Sequence, residues 1–354
     1  YTYIEKGMLE DLSGVLKDTD ILSNIKDAYT KEDGSIYTMP VKFGIPMIEG
    51  NKDIIAGITD LTTEADAAES QKDSYGKLQF FSDFSIAPSY LIQGTIDNSI
   101  PAWMNEDGTL NENAVKEYLE QVNRIWQTQK NAIEETKKAY QMGDDWADSD
   151  HSGYMDISGS VTSLLAKVDT VAAGGLLSPE GLVSLDSARK VDPDLDYKLL
   201  NGQSENCFYP RSAVGVSAKA SEKEAAEKFV KFLFEEESQR ASNTEGLAVN
   251  SKVYEDMAYW KMGKSSGDTI GSIGASYDTG DGNIKQIEMD EIIPEDEAIQ
   301  NIMDLGKTLT VPAKSNQIIR NAVTESGEKY LNGETGLDDA VKEIMQEVNL
   351  YLSE

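Results

Sequence analysis

One histidine and one cysteine limit the chemistry that this chain can perform. His151 is the single histidine and Cys207 the single cysteine among 354 residues. Zinc sites built on several histidines are therefore excluded, and a serine or cysteine nucleophile would have to be activated through His151. His151 lies in the polar run 148–153, which predicts an exposed loop. Cys207 is predicted to be a small buried or half-buried side chain, and a lone cysteine forms no intramolecular disulfide. We therefore predict no catalytic residue.

Acidic side chains are abundant, but their spacing fits no calcium loop. Asp192, Asp194 and Asp196 alternate as calcium ligands do. Tyr197 then stands where the loop needs glycine, and Gln203 stands where it needs a bidentate glutamate. A second acidic cluster is predicted to be a solvated loop; it contains Asp144, Asp145, Asp148 and Asp150. No phosphate-binding loop or dinucleotide fingerprint is present, so we predict neither metal nor cofactor. Any two of the 63 acidic residues can meet in space, so a surface polysaccharide hydrolase that uses two carboxylates stays as an alternative.

The net charge of the chain disfavours several classes of binding partner. Lysine and arginine number 32 against 63 aspartates and glutamates, which gives a formal charge of −31. Such a surface repels nucleic acids and anionic membranes and disfavours anionic ligands. A neutral ligand such as a sugar is not affected by this field. No apolar run reaches the length of a membrane span.

The elements that position these residues are mostly helices, with short strands between them. The length suits two domains, and the alternation of strands and helices predicts an α/β class. Pro40 and Pro46 bracket an edge or crossover strand. The run 221–224 fits a capping box at the start of a helix with Phe229 and Phe232 on its apolar face. Residues 263–283 are rich in glycine, serine and aspartate and predict a long loop.

Tryptophans are assigned by their local pattern. Trp126 lies among apolar residues at three- and four-residue spacing, which predicts a core position on a long helix. Trp103 and Trp146 lie in predicted loops, from which either side chain can reach the rim of a cleft.

Four stretches in a fixed order carry a family resemblance. They are residues 3–12 followed by 33–40, residues 218–233, residues 246–250, and the tail from 330 to 352. In this order they resemble the family 1 extracellular solute-binding proteins of ABC transporters, which include the maltose-binding type. Val249 stands where that family usually has proline, and residues 50–205 match the family poorly.

The resemblance implies a helix-rich α/β fold of the periplasmic-binding-protein type II, a two-lobe clamp with crossover hinge strands. Lobe one is expected to contain residues 1–42 and 214–265, and lobe two residues 43–213 and 285–354, with a loop over 266–284. The family's opening segment has no counterpart here, so we expect a fragment of a longer exported protein whose lobe one is incomplete at its N-terminus. The chain is expected to be a monomer unless that lobe pairs with a neighbouring chain.

The resemblance also implies a function without chemistry on the ligand. The chain is expected to capture a carbohydrate between its lobes and to deliver it to an ABC transporter permease, outside the cell and anchored as a lipoprotein of a Gram-positive bacterium. A receptor for another small solute and a sensor subunit stay as alternatives. The ligand-binding residues that the family pattern implies are Lys42, Phe43, Asp83, Phe84, Ser85, Gly174, Gly175, Tyr209 and Arg211. The family often places an aromatic residue at Gly174–Gly175, and this chain has none there.

Overall fold

The structure is a mixed α/β arrangement in which helices cover a central sheet. The computed structural model describes residues 2–71, 79–81, 87–105, 108–140, 156–241, 246–278, 283–314 and 316–352. Within them the strands are β1 (Met39–Asn51), β2 (Gln79–Phe81), β3 (Asp169–Leu176), β4 (Leu195–Leu199), β5 (Cys207–Val214), β6 (Leu247–Ala248), β7 (Thr269–Asp278), β8 (Ile284–Ile292) and β9 (Val311–Pro312). The helices are α1 (Thr2–Glu5), α2 (Ser23–Tyr29), α3 (Lys52–Ile55), α4 (Leu61–Gln71), α5 (Pro88–Ile96), α6 (Ile100–Trp103), α7 (Glu112–Tyr140), α8 (Val161–Ala166), α9 (Pro179–Val191), α10 (Lys223–Leu233), α11 (Glu236–Ala241), α12 (Ser251–Tyr254), α13 (Met257–Trp260), α14 (Asp296–Thr308), α15 (Gln317–Leu331) and α16 (Leu337–Leu352). None of these helices combines the length and the apolar composition that crossing a membrane requires.

The strand β1 connects the two halves of the molecule. Its first half pairs antiparallel with β5 and β6, and its second half pairs antiparallel with β3 and β4. The crossover predicted between Pro40 and Pro46 is therefore confirmed, and it extends to Asn51. The alternative of an edge strand is wrong, because β1 has a partner strand on each side in both halves. Pro46 has no N–H to donate, but its carbonyl accepts a hydrogen bond from the Leu200 amide at 3.0 Å. We call the half with β5 and β6 lobe one and the half with β3 and β4 lobe two.

The central strands of the lobe-two sheet, β1 and β3, are buried on both faces and are mostly apolar, whereas β4 is half-buried. Ile48, Val171 and Ala173 face one core, which also receives α5, α7, α15 and α16. Met47 and Leu176 face a second core, which extends through α8 and α9 into lobe one. The sheet is thus a central layer with helices on both sides.

Helical periodicity predicts the long helix α7 correctly. Val115, Leu119, Val122 and Trp126 are all at most 3% exposed, so the predicted core position of Trp126 is confirmed. The prediction for Trp103 is wrong. It ends α6, is fully buried, and donates its indole N–H to Gln203 Oε1 at 2.6 Å. Burial with a satisfied N–H explains why a tryptophan next to a turn lies in the core.

Residues 269–292 correct the prediction of a long loop over 263–283 and over 266–284. They contain the antiparallel pair β7–β8, whose register runs from Thr269↔Ile292 to Asp278↔Ile284. Burial alternates along β7, with Ile273 and Tyr277 half-buried and Ser272 and Ser276 exposed. This face packs on α8 and α9. The side chains of β7 therefore alternate with the period of two of a strand, although the composition of the segment is typical of a loop.

The helix α14 corrects the predicted boundary of lobe two at residue 285. The Asn24 amide donates to the carbonyls of Gly306 at 3.0 Å and Leu309 at 2.6 Å, and the Tyr254 hydroxyl donates to the Ile302 carbonyl at 3.2 Å. Asn24 and Tyr254 belong to α2 and α12 of lobe one. Residues 296–309 are therefore held by lobe one, whereas α15 and α16 pack in the core of lobe two.

The predicted capping box at 221–224 does not form. Glu222 occupies the cap position of α10 without a side-chain hydrogen bond. Glu224 accepts a hydrogen bond from Lys228 at 2.7 Å, so its carboxylate points along the helix instead of back to Ser221. The apolar face also differs from the prediction, because Phe229 and Phe232 are 58% and 49% exposed.

Gly50 provides a test of the packing between β1 and β3. A Cβ at Gly50 would lie 2.6 Å from the Thr170 carbonyl oxygen, which is backbone and cannot move alone. We expect Gly50→Ala to lower the free energy of unfolding by about 1–3 kcal/mol through overpacking. Gly57→Ala is the control, since its nearest neighbour is the Ile54 carbonyl at 3.8 Å. Urea unfolding of both variants measures the difference, and equal stabilities would contradict the packing argument.

Candidate ligand-binding cleft

Three segments cross between the lobes and define the hinge. The first is β1 and the second is β5, which pairs with β1 from Met39↔Val214 to Gly44↔Tyr209. The third leads from α14 to α15 through β9, and it pairs parallel with β5 through Cys207↔Val311 and Phe208↔Pro312. A ligand that contacts both lobes has to lie beside these strands, so their two faces are the places to search.

The strand register divides the predicted site residues between the two faces. Residues directly opposite each other on antiparallel strands point to the same side. Lys42 pairs with Arg211, and Gly44 pairs with Tyr209. Pro46, two residues beyond Gly44, pairs with Gly175. We call this side, with Lys42, Gly44, Gly175, Tyr209 and Arg211, the front face.

Two predicted residues point to the opposite side, which we call the rear face. Phe43 is fully buried in the core of lobe one, where its ring centroid lies 5.5 Å from that of Tyr254 and 6.3 Å from that of Phe208. Gly174 pairs with Met47 on this same side. In this conformation Phe43 packs in the core on the rear side of the crossing strands and does not face the front.

Leu177 forms the floor of the front face. A Cβ on Gly44 would lie 2.5 Å from Leu177 Cδ2, and a Cβ on Gly175 would lie 2.9 Å from it. The two glycines therefore leave a notch that this side chain fills, and the Tyr209 ring borders it. Sequence reasoning missed Leu177, although glycines at 174 and 175 are a signal for close approach of another chain segment.

Lys42 and Arg211 differ in how they are held. Lys42 is 5% exposed, and its ammonium donates to the Gln239 carbonyl of lobe one. Burial lowers the pKa of Lys42 to about 8. Arg211 is only half-buried. Of these two front-face cations, Arg211 is the one with solvent-accessible surface for contact with a ligand.

A buried ion pair lies at the lobe-two end of the hinge. Arg320 of α15 contacts Asp97, which follows α5, at 2.5 Å, and both side chains are 6% exposed. The Asp97 carbonyl accepts from the Lys314 amide, and the Asn98 carbonyl accepts from the Ser204 amide, each at 3.1 Å. The turn after α5 is thereby tied to the chain on either side of the crossing strands.

The predicted burial of Cys207 is confirmed, and its surroundings keep the thiol protonated. Cys207 is 1% exposed, and burial raises its pKa to about 12. Burial is also the main cause that raises the pKa of Tyr209, with Asp97 as the next contributor. A protonated thiol is a poor nucleophile, so Cys207 contributes packing beneath the front face.

Asp83, Phe84 and Ser85 lie outside the described residues, as do His151, Trp146 and the acidic cluster of residues 144–150. The described residues 87–105 begin directly after the predicted contact loop. Within the described ranges, no group of three or more histidine, cysteine or acidic side chains is placed to hold a metal ion.

The sequence of the chain matches the model of one protein family. That model, described as bacterial extracellular solute-binding protein, matches residues 1–265, which is more than half of the chain. The chain belongs to this family. No curated protein sequence matches it. The predicted family is therefore confirmed, and it is a family of extracellular binding proteins.

Solved structures show that this solute-binding protein has the two-lobe fold. The maltose-bound MalE3 of T. maritima aligns with a TM-score of 0.54 and 15% identity over 98% of this chain and 81% of that one. A family 1 extracellular solute-binding protein from Alicyclobacillus acidocaldarius aligns with a TM-score of 0.51 and 15% identity, over 100% and 81%. A Streptococcus pneumoniae solute-binding protein in complex with the blood group A-trisaccharide gives 0.53 and 15%, over 99% and 81%. The predicted fold class is confirmed.

Proposed function

We propose that this solute-binding protein is the carbohydrate-binding component of an ABC importer. Its fold neighbours include proteins solved with maltose and with a trisaccharide. The observation that carries the proposal is the three-strand crossing, whose front face brings Lys42, Gly175, Tyr209 and Arg211 together between the lobes. A charge of −31 disfavours anionic solutes and leaves neutral sugars unaffected.

A sugar needs a planar polar group for its hydroxyls and an apolar surface for the C–H side of its ring. Arg211 supplies the planar donor, whereas Tyr209 and Leu177 are each only 4% exposed and pack beneath the front face, so Phe84 is proposed to supply the apolar surface. Asp83, Phe84 and Ser85 are proposed to complete the site from the loop before α5. Rotation of the lobes about the crossing strands buries the ligand and shifts the population toward the closed form.

No covalent step is part of this mechanism, and the protein is proposed not to be an enzyme. The closed form is proposed to dock on the permease of the transporter as a monomer. A lipid anchor on the outer face of the membrane would keep the receptor near that permease. A sensor subunit would use the same two-lobe clamp. The membrane protein on which the closed form docks, a permease or a sensor, distinguishes the transport role from the sensing role.

A thermal-shift screen over mono- and oligosaccharides tests the proposal. A sugar at 100 times its Kd is expected to stabilise the protein by about 2.7 kcal/mol. Arg211→Ala is expected to weaken binding of that sugar by about 1–3 kcal/mol without lowering the melting temperature of the free protein.

The matched control is Arg240→Ala, which removes an arginine that pairs with Asp256 at 2.7 Å on the surface of lobe one. This variant is expected to bind the sugar as the parent does. Stabilisation by a peptide or a polyamine, with none by any sugar, would contradict the carbohydrate assignment. Cleavage of a labelled oligosaccharide would favour the hydrolase instead.

A further inference from the structure

A pocket of about 840 Å³ opens on the rear face of the crossing strands. We call it the rear groove. Its lining comes from the β1–β4 edge, from α9 and from α14, and it includes Met47, Arg189, Tyr197, Leu199, Glu295 and Glu297. Met47 points away from the front face, because it pairs with Gly174 and Leu199. The rear groove is therefore distinct from the proposed sugar site.

The two walls of the rear groove belong to different lobes. One wall is the face of α14 that carries Glu297, Asn301 and Leu305 at helical spacing, and lobe one holds this helix. The other wall is β4 with Tyr197 and Leu199, which belongs to the sheet of lobe two. Any group that contacts both walls spans the hinge.

The arginine of the groove is already paired with carboxylates. The Arg189 guanidinium lies 3.2 Å from Asp196 and 3.9 Å from Asp186, and it stacks on the Tyr197 ring at 4.9 Å. Lys198 is also on the lining and has no ion pair among the described residues; its ammonium donates to the Ala56 carbonyl at 3.5 Å.

Acidic groups on the α14 wall have no such partners. Glu295 and Glu297 line the groove, and no lysine or arginine pairs with either one among the described residues. The lining carries the carboxylates of Asp186, Asp196, Glu295 and Glu297 against the two cations Arg189 and Lys198, so the groove presents an excess of negative charge above an apolar floor.

A buried carboxyl group lies behind the β4 wall of the groove. Glu49 pairs with Tyr197 in the β1–β4 register, so its side chain is on the rear side, two residues from Met47. It is 0% exposed, and neither carboxyl oxygen has a hydrogen-bond partner among the described residues. Burial raises its pKa well above the usual value, with Arg189 opposing the shift. Glu49 lies behind the groove lining and has no exposed surface, so a ligand in the groove would not contact this carboxyl group.

We propose that the rear groove is a second ligand site, which takes a small organic cation with an apolar body. Glu297 and Glu295 attract the cationic head, while the half-buried Leu199, Ala298 and Leu305 receive the body above the buried Met47. Anions are disfavoured by the same carboxylates, and a neutral body of equal size loses the charge-assisted contacts. Because the walls belong to different lobes, occupation of the groove is coupled to the hinge angle, and the coupling is reciprocal.

Hexylamine is the probe, with hexan-1-ol and hexanoate as isosteres of neutral and negative charge. Protein labelled with ¹³C at the methionine methyl groups is titrated, and the Met47 signal is assigned with Met47→Leu. Hexylamine is expected to shift the Met47 signal saturably, with an affinity about tenfold higher than that of hexan-1-ol, and hexanoate is expected to cause no shift. No sugar is used, so this result is independent of the proposed carbohydrate function.

Glu297→Gln is expected to weaken hexylamine binding about tenfold while the remaining methionine signals stay in place. The control is Asp304→Asn, which removes a carboxylate from the same helix outside the groove lining, where Gln300 donates to it at 2.9 Å. An unmoved Met47 signal would overturn the proposal. Equal binding of hexan-1-ol, or equal binding by Glu297→Gln, would also overturn it.

Discussion

Replacing Arg320 with leucine is expected to lower the free energy of unfolding by about 3–5 kcal/mol. Arg320 and Asp97 contact each other at 2.5 Å, and each side chain is only 6% exposed. Removing the guanidinium leaves a carboxylate that is excluded from water and has lost its countercharge. Urea unfolding at neutral pH measures the loss.

Arg124→Leu is the control for this prediction. Arg124 contacts Asp66 at 2.6 Å and Glu69 at 2.7 Å, so it makes more ion pairs than Arg320. Its side chain is 31% exposed and its partners are more exposed still. Water already solvates these charges, and we expect a loss of only about 0–1 kcal/mol. Equal losses for the two variants would contradict the role of burial.

Asp97→Asn in the Arg320→Leu background separates charge from packing. If the buried charge causes the loss, the double variant is expected to recover part of the stability, because asparagine carries no charge. A double variant as unstable as Arg320→Leu alone would assign the loss to packing around α15. The distinction matters for binding, since the turn at Asp97 is tied to the third crossing segment through Lys314.

Local patterns in the sequence predict the elements whose burial follows a simple period. The apolar positions of α7 and the prolines of β1 each determine local structure through their own geometry. The β7–β8 hairpin was missed because its glycines and serines suggest a loop. The alternation of half-buried and exposed side chains along β7 becomes visible only in the folded structure, where one face of the hairpin packs on α8 and α9. The lobe to which α14 belongs depends on contacts with residues as distant as Asn24, and no local pattern encodes such contacts.

The candidate site was likewise predicted only in part from the sequence. The family resemblance selected residues around the crossing strands, and the register places Lys42, Gly175, Tyr209 and Arg211 on one face. Phe43 was selected with its neighbour Lys42, but adjacent residues on a strand point to opposite faces. The front face is also buried by Leu177, which packs against Gly44 of β1 and Gly175 of β3 beside Tyr209 of β5. These three segments are distant in sequence, so no local pattern predicts the contact.

Replacing Glu64 with glutamine is expected to raise the free energy of unfolding at pH 8 by about 3–5 kcal/mol and to have little effect at pH 4.5. Glu64 of α4 is 1% exposed, and its Oε1 has no hydrogen-bond partner among the described residues. Burial, with a smaller contribution from Asp60, raises the pKa of Glu64 from 4.5 to about 8. Glutamine resembles the protonated acid in shape and never has to ionise.

The sign of this effect follows from which state releases the proton first. Below pH 4.5 the carboxyl group is protonated in both states and costs nothing. Between pH 4.5 and about 8 the unfolded chain ionises while the folded chain keeps its proton, so stability falls as the pH rises. Above pH 8 both states are ionised, and the full penalty of the buried charge remains.

Chemical unfolding at several pH values between 4.5 and 8.5 tests the prediction. Glu117→Gln is the control, because it makes the same chemical change at an exposed position on α7. The control is expected to keep the parent's pH dependence, whereas Glu64→Gln is expected to flatten it. Some slope should remain, because burial also raises the pKa of Glu49, which loses stability in the same direction as the pH rises. An unchanged slope in Glu64→Gln would show that Glu64 is solvated in the folded protein, and the core between α4 and α7 would then have to admit water.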